Sequence, residues 1–169
     1  MTQRVELATV IDRLGIDEMI TEYAVAVDDG DWEAYRGLFT ADGRADYRSA
    51  GGIEGDARQV AAWLAQNMRL FPMRQHLIVN RRVRFGVREQ DIGDTAQVQA
   101  DYVNPMRFAG SDGGPNGGSA GGSGEPDFVC GGRYAFAFAR TYDGWRLREV
   151  VVQEKWRRMQ PAREGNAAP

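Results

Sequence analysis

The sequence has one cysteine, Cys130, and one histidine, His76. A lone cysteine excludes an intrachain disulfide and any metal site built on paired cysteines. It reads as a small buried apolar residue. No stretch approaches the roughly 20 apolar residues that span a membrane. The N-terminus, MTQRVELATVIDRL, lacks the long apolar run and small-residue cleavage site of a leader. The expectation is a cytoplasmic protein with no membrane partner. Excess positive charge is also missing: 21 Lys and Arg stand against 24 Asp and Glu, a net charge of −3. A nucleic-acid partner would call for the reverse. Arg81-Arg82 with Arg84, and Arg157-Arg158, read as solvated strand ends and not as phosphate sites. The glycine-rich segment lacks the GK[ST] ending of a P-loop, and no cofactor or metal is expected.

What is present is an ordinary globular composition, 43% hydrophobic and 27% charged, in 169 residues. That suits one domain with a sizeable core, expected over residues 1–159. Residues 5–28 read as helix, with a candidate break at Gly15. Leu7, Val10, Ile11 and Leu14 form an apolar stripe, which Ile16, Ile20, Tyr23 and Val27 continue. Asp31 can cap a short helix from Trp32, and Asp56 one that ends before Phe71-Pro72. A short strand carries Tyr47. Strand-like runs then cover 75–87, 95–108, 128–142 and 145–156, with Asp143-Gly144 as a hairpin turn. Residues 110–127 read as a flexible glycine-rich loop, either a plain hairpin connection or a lid over a ligand. Residues 160–169 read as a disordered tail. Helices followed by consecutive strands indicate an α+β fold, a curved antiparallel sheet wrapped around N-terminal helices, with a pocket at its open end.

The stretch YAVAVDDGDWEAYRGLFTADGRADY, residues 23–47, organises the rest. Asp28 follows four apolar residues at a helix C-terminus, where the macrodipole disfavours negative charge. It lies about 140° around the helix from Tyr23. A carboxylate there needs a partner, and His76 is the natural one.

The order of elements, with YAVAVDDGDW, RADYRS, RQHLI and YDGWRLREVVV, resembles the SnoaL-like branch of the nuclear-transport-factor-2-like superfamily over residues 7–158. Within it the chain resembles scytalone dehydratase, bile-acid 7α-dehydratase and hexachlorocyclohexane dehydrochlorinase. The resemblance implies a cone with a deep pocket, and an Asp–His base for cofactor-free elimination. The aspartate four residues before the tryptophan falls on Asp28, before Trp32. The histidine heading the first long strand falls on His76. Family tyrosines fall on Tyr23 and on Tyr47 in Asp46-Tyr47-Arg48-Ser49. Four departures stand out. Met106, after Pro105, replaces a second pocket histidine. Arg133 and Ala135 replace a serine and an asparagine. Val27 replaces a tyrosine, and Val150 an arginine.

These positions imply a mechanism. Asp28 on Nδ1–H fixes the His76 tautomer and leaves Nε2 to take a proton. Tyr23 or Tyr47 supplies an acid or polarises a carbonyl. Dehydration, isomerisation and aldol-type cyclisation all fit. If Met106 faces the pocket, so do Asn104 and Tyr102 by strand alternation. The family positions place Arg133, Ala135 and Ala137 on the inner face too. There the alanines would make room for a bulky cyclic or aromatic, polyketide-like substrate, and Arg133 would meet a carboxylate or enolate. Tyr134, Phe136 and Phe138 would then face outward and cover a subunit interface, in a homodimer or homotrimer. Two other readings stay open: a non-catalytic small-molecule-binding protein, and the β subunit of an aromatic-ring dioxygenase.

Overall fold

The computed structural model describes residues 2–109 and 125–159, with side chains from residue 7 onward. Nearly all of the expected glycine-rich loop, and the expected tail, lie outside the described residues. Helix α1 runs unbroken from Thr2 to Asp29. Gly15 does not break it; a Cβ there would sit 3.5 Å from the Trp145 ring, so the glycine lets that ring lie close to the helix. Ile16, Ile20, Tyr23 and Val27 are buried, as their spacing predicts. The earlier stripe is different. Leu7, Val10, Ile11 and Leu14 are exposed, because in an unbroken helix Leu14 and Ile16 stand about 200° apart and the two stripes fall on opposite faces. The helix is also anchored by charge: Arg140 Nη2 lies 2.5 Å from Asp12 Oδ1, and Trp145 Nε1 donates to the same oxygen.

Asp31 caps α2 (Trp32–Gly37) by accepting from the Ala34 N–H. Strands β1 (Phe39–Asp46) and β2 (Glu54–Asp56) follow, joined by a 3-10 turn at Arg48–Ala50. Tyr47 sits just after β1, at the start of that turn. Helix α3 (Ala57–Asn67) opens with a capping box between Asp56 and Gln59. Then come β3 (Met73–Arg74), β4 (Leu77–Phe85), β5 (Thr95–Arg107), β6 (Phe128–Thr141) and β7 (Gly144–Met159). They form one curved, unclosed sheet in the order β2-β1-β7-β6-β5-β3, with β4 also on β5. All pairs are antiparallel except β1 with β7. Among the described residues no helix is long and apolar enough to cross a membrane.

Register decides which residues see the helices. On β5 Ala96, Val98, Ala100, Tyr102, Asn104 and Met106 are buried. Directly paired residues share a face, and β6 pairs Ala100 with Tyr134, Val98 with Phe136 and Ala96 with Phe138. These aromatics therefore face inward and are buried. The Tyr23 ring meets those of Tyr134 and Phe136 at 5.7 and 5.5 Å. This corrects the expectation for Arg133, Ala135 and Ala137, which face outward; Arg133 Nη2 lies 2.8 Å from Asp101 Oδ1. The expectation was off by one residue, and a one-residue slip exchanges the faces of a strand.

Candidate active site

Helix α1 ends where Gly30 allows it to. Gly30 has φ +71°, and its N–H donates to the Val27 carbonyl while the Asp31 N–H reaches Ala26. This Schellman arrangement leaves Asp28 in the last turn. The Asp28 carboxylate accepts three hydrogen bonds from one residue. The backbone N–H of His76 lies 3.1 and 2.9 Å from its two oxygens, and His76 Nδ1 lies 2.6 Å from Oδ1. Donors at a helix C-terminus offset the unfavourable end of the macrodipole. Arg74 fixes the same junction: its Nε donates to the Val27 carbonyl at 2.8 Å, and Nη1 donates to the carbonyls of Met68 and Phe71. The end of α1 and the segment carrying His76 are thus held together by side chains.

His76 forms part of the wall of a cavity of about 320 Å³. Tyr47, Tyr102, Asn104, Met106 and Tyr134 line it too, with apolar surface from Trp63, Leu64, Phe71 and Phe128. His76 Nε2 has no hydrogen-bond partner among the described residues. Asn104 is 4% exposed, and its Oδ1 is buried without a hydrogen-bond partner among them. An unpaired buried acceptor carries a desolvation penalty that a ligand donor would relieve. A larger depression, about 670 Å³, lies against the outer face of the sheet. Arg44, Arg84, Arg148, Asp42 and Glu149 line it, without a histidine or a buried orphan, so the smaller cavity is the better candidate. Among the described residues no three His, Cys, Asp or Glu side chains could hold a metal ion.

Behind the cavity wall lies a cluster of tyrosines. The hydroxyls of Tyr23 and Tyr47 are hydrogen-bonded, and Tyr35 Oη is 3.5 Å from Tyr47 Oη. Tyr134 interacts with both Asn104 and Tyr23. Burial pushes the phenols of Tyr23, Tyr35, Tyr47, Tyr102 and Tyr134 up, well beyond the usual tyrosine range. They are neutral donors. Burial likewise pushes the Cys130 thiol up to about 12, which keeps it protonated near neutral pH.

Of the residues singled out from sequence, His76, Tyr47, Tyr102, Asn104 and Met106 come together on the cavity wall. Asp28 stands behind His76. Tyr23 does not line the cavity; it is fully buried and reaches it through Tyr47. Arg133 and Ala135 are on the other side of the sheet. Sequence reasoning missed Arg74, although it stands two residues before His76 in RQHLI. It also missed Tyr35, Tyr134 and the pair Glu154 and Arg157 on the cavity wall.

Folded tyrosines with raised pKa hold protons at pH values where unfolded ones, near about 10, have lost them. The stability they contribute is complete below about pH 10 and falls as pH rises beyond it. An alkaline titration followed by near-ultraviolet absorbance and circular dichroism checks this. The buried tyrosines ionise only together with unfolding. Ionisation of all of them with the fold retained would contradict the burial described.

Comparison with known proteins places the chain. An uncharacterized Mycobacterium tuberculosis protein (strain H37Rv) is 32% identical over 153 residues, 90% of this chain and 92% of its own. The hexachlorocyclohexane dehydrochlorinase LinA-type3 of Novosphingobium barchaimii superposes with a TM-score of 0.72 at 13% identity, covering 97% of this chain and 99% of its own. A Novosphingobium aromaticivorans protein proposed to be a scytalone dehydratase superposes at 0.68 and 15% identity, over 98% and 100%. At such identities the two structures speak for the fold. The SnoaL-like domain model matches residues 8–151. By that match, and by its mycobacterial relative, the chain belongs to the SnoaL-like domain family.

Proposed function

We propose that the protein is a cofactor-independent lyase or isomerase acting on a bulky cyclic small molecule. The observation that carries this reading is the Asp28 carboxylate 2.6 Å from His76 Nδ1, with His76 on the wall of a largely apolar cavity. His76 Nε2 removes a proton from a carbon beside a carbonyl, and Asp28 stabilises the imidazolium that forms. Tyr47 donates its O–H to the carbonyl oxygen, where negative charge develops. The C–H pair becomes the new C=C bond as the β C–O bond breaks. Hydroxide departs as water with the proton from His76. Without a leaving group, returning that proton to another carbon gives an isomerisation. Asn104 Oδ1 accepts a substrate hydroxyl. Tyr23 and Asp28 are positioning residues, acting through Tyr47 and His76. The dehydrochlorinase among the structural neighbours, an eliminating enzyme by its name, supports the reading.

Self-association as a homodimer or homotrimer is part of the same proposal. Leu77, Val79, Val103 and Trp156 are exposed on the outer face of the sheet, with Leu77 paired to Val103 and Val103 to Gly131, over which Trp156 lies. Such a patch on a monomer is a liability. Analytical ultracentrifugation should give two or three times the chain mass of 18.8 kDa; a monomer at micromolar concentration overturns this part.

Turnover is tested on a panel of hydroxylated cyclic ketones, reading loss of water. His76→Ala should lower kcat by about 10²–10⁴-fold with an unchanged circular dichroism spectrum, and Tyr47→Phe should lower kcat more than it raises KM. Undiminished turnover in His76→Ala refutes the base. Saturable binding with no product from any ketone favours the non-catalytic binding protein instead.

A further inference from the structure

Strand β7 contains an extra residue. Gly132 pairs with Glu154 and Gly131 with Trp156, so Lys155 has no partner and forms a β-bulge. The glycines permit it. A Cβ on Gly132 would lie 2.1 Å from the Gln153 carbonyl oxygen, and one on Gly131 2.4 Å from the Trp156 ring. An extra residue reverses the alternation of faces. Before it Val150, Val152 and Glu154 lie on the inner face; after it Arg157 and Met159 do, at the rim of the cavity with 45% and 59% exposure. Strict alternation would have turned Trp156 and Arg158 inward and Arg157 out. With the bulge, Glu154, Arg157 and Met159 all line the same cavity as His76.

Arg157 is held in a fixed orientation. Its Nε donates to Glu154 Oε1 at 2.6 Å, and Nη2 donates to the Ala50 carbonyl at 3.3 Å. The Glu154 side chain is 10% exposed. These bonds use Nε and one Nη2 hydrogen of the guanidinium. The opposite edge, Nη1 with the second Nη2 hydrogen, has no protein acceptor among the described residues. That edge is a planar pair of donors, the geometry that grips a carboxylate with two parallel hydrogen bonds. Because the arginine rotamer is already set, little freedom is lost on binding.

We propose that this cavity selects a cyclic or aromatic carboxylic acid, its carboxylate on Arg157 and its ring among Phe71, Met106 and Phe128. The lyase reading enters only in saying that the reacting carbon then faces His76. Glu154 balances the charge of Arg157, so selection rests on directed hydrogen bonds and not on long-range attraction. A neutral amide of the same shape loses them.

Isothermal titration calorimetry of the full chain with 2-naphthoate and 2-naphthamide tests the proposal. The wild type should bind the acid at least tenfold more tightly than the amide. Arg157→Gln should abolish that preference while leaving amide affinity unchanged, which also shows that the variant is folded. Arg157→Lys should keep part of the preference. Equal affinities in the wild type, a preference that survives Arg157→Gln, or binding of neither compound overturns it. The assay reads binding alone, so its outcome is separate from that of the lyase reading. A carboxylate preference with no turnover of any ketone counts against the lyase only. Turnover of neutral ketones without the preference counts against the Arg157 proposal only.

Discussion

The structure depends on how a carboxylate is held at the wrong end of a helix. Asp28 sits in the last turn of α1, among carbonyls that repel it. Two donors of His76, the backbone N–H and Nδ1–H, face it. The contact joins the helix end to the segment leading into β4, and Arg74 reinforces it by satisfying the Val27 carbonyl. Gly30 sets where the helix stops, and so where Asp28 points. The arrangement turns Nδ1 of the imidazole toward the carboxylate, with His76 on the cavity wall. One local constraint thus ties the helix end to the sheet and fixes the imidazole on which the proposed chemistry rests.

The cavity wall divides into functions by chemistry. On one side stand His76 and Tyr47, the proposed base and donor, with Tyr47 backed by Tyr23 and Tyr35. Their burial keeps the phenols neutral and able to donate. On β5, Asn104 offers an unsatisfied acceptor. On β7, the bulge at Lys155 brings in an arginine already braced by a glutamate. The Asp12–Arg140 contact ties α1 to β6 at a second point, one turn before the buried stripe begins at Ile16.

Much of this was legible in the sequence. The Ile16, Ile20, Tyr23 and Val27 stripe marked the buried face of α1, and Asp31 and Asp56 marked helix starts. With one histidine in the chain, Asp28 had few possible partners, and the family resemblance narrowed them to His76. Other features depend on long-range geometry. Periodicity showed that Leu7, Val10, Ile11 and Leu14 share a face, but that this face lies opposite the buried one depended on α1 running unbroken through Gly15. Strand alternation put Arg133 with Ala135 and Tyr134 with Phe136, but which pair faces inward depends on register with β5. The bulge that turns Arg157 inward leaves its only trace in Gly131-Gly132, and two glycines in a strand do not announce which partner residue is extra.

The most direct test is the position of the proton on His76. The chain has one histidine, so a ¹⁵N-labelled sample gives a single imidazole whose signals need no assignment. The account predicts that the neutral ring carries its proton on Nδ1, with Nε2 bare, and that Asp28→Asn disturbs this tautomer. A neutral imidazole protonated on Nε2, in the wild type, would contradict the Asp28–His76 base on which the rest is built.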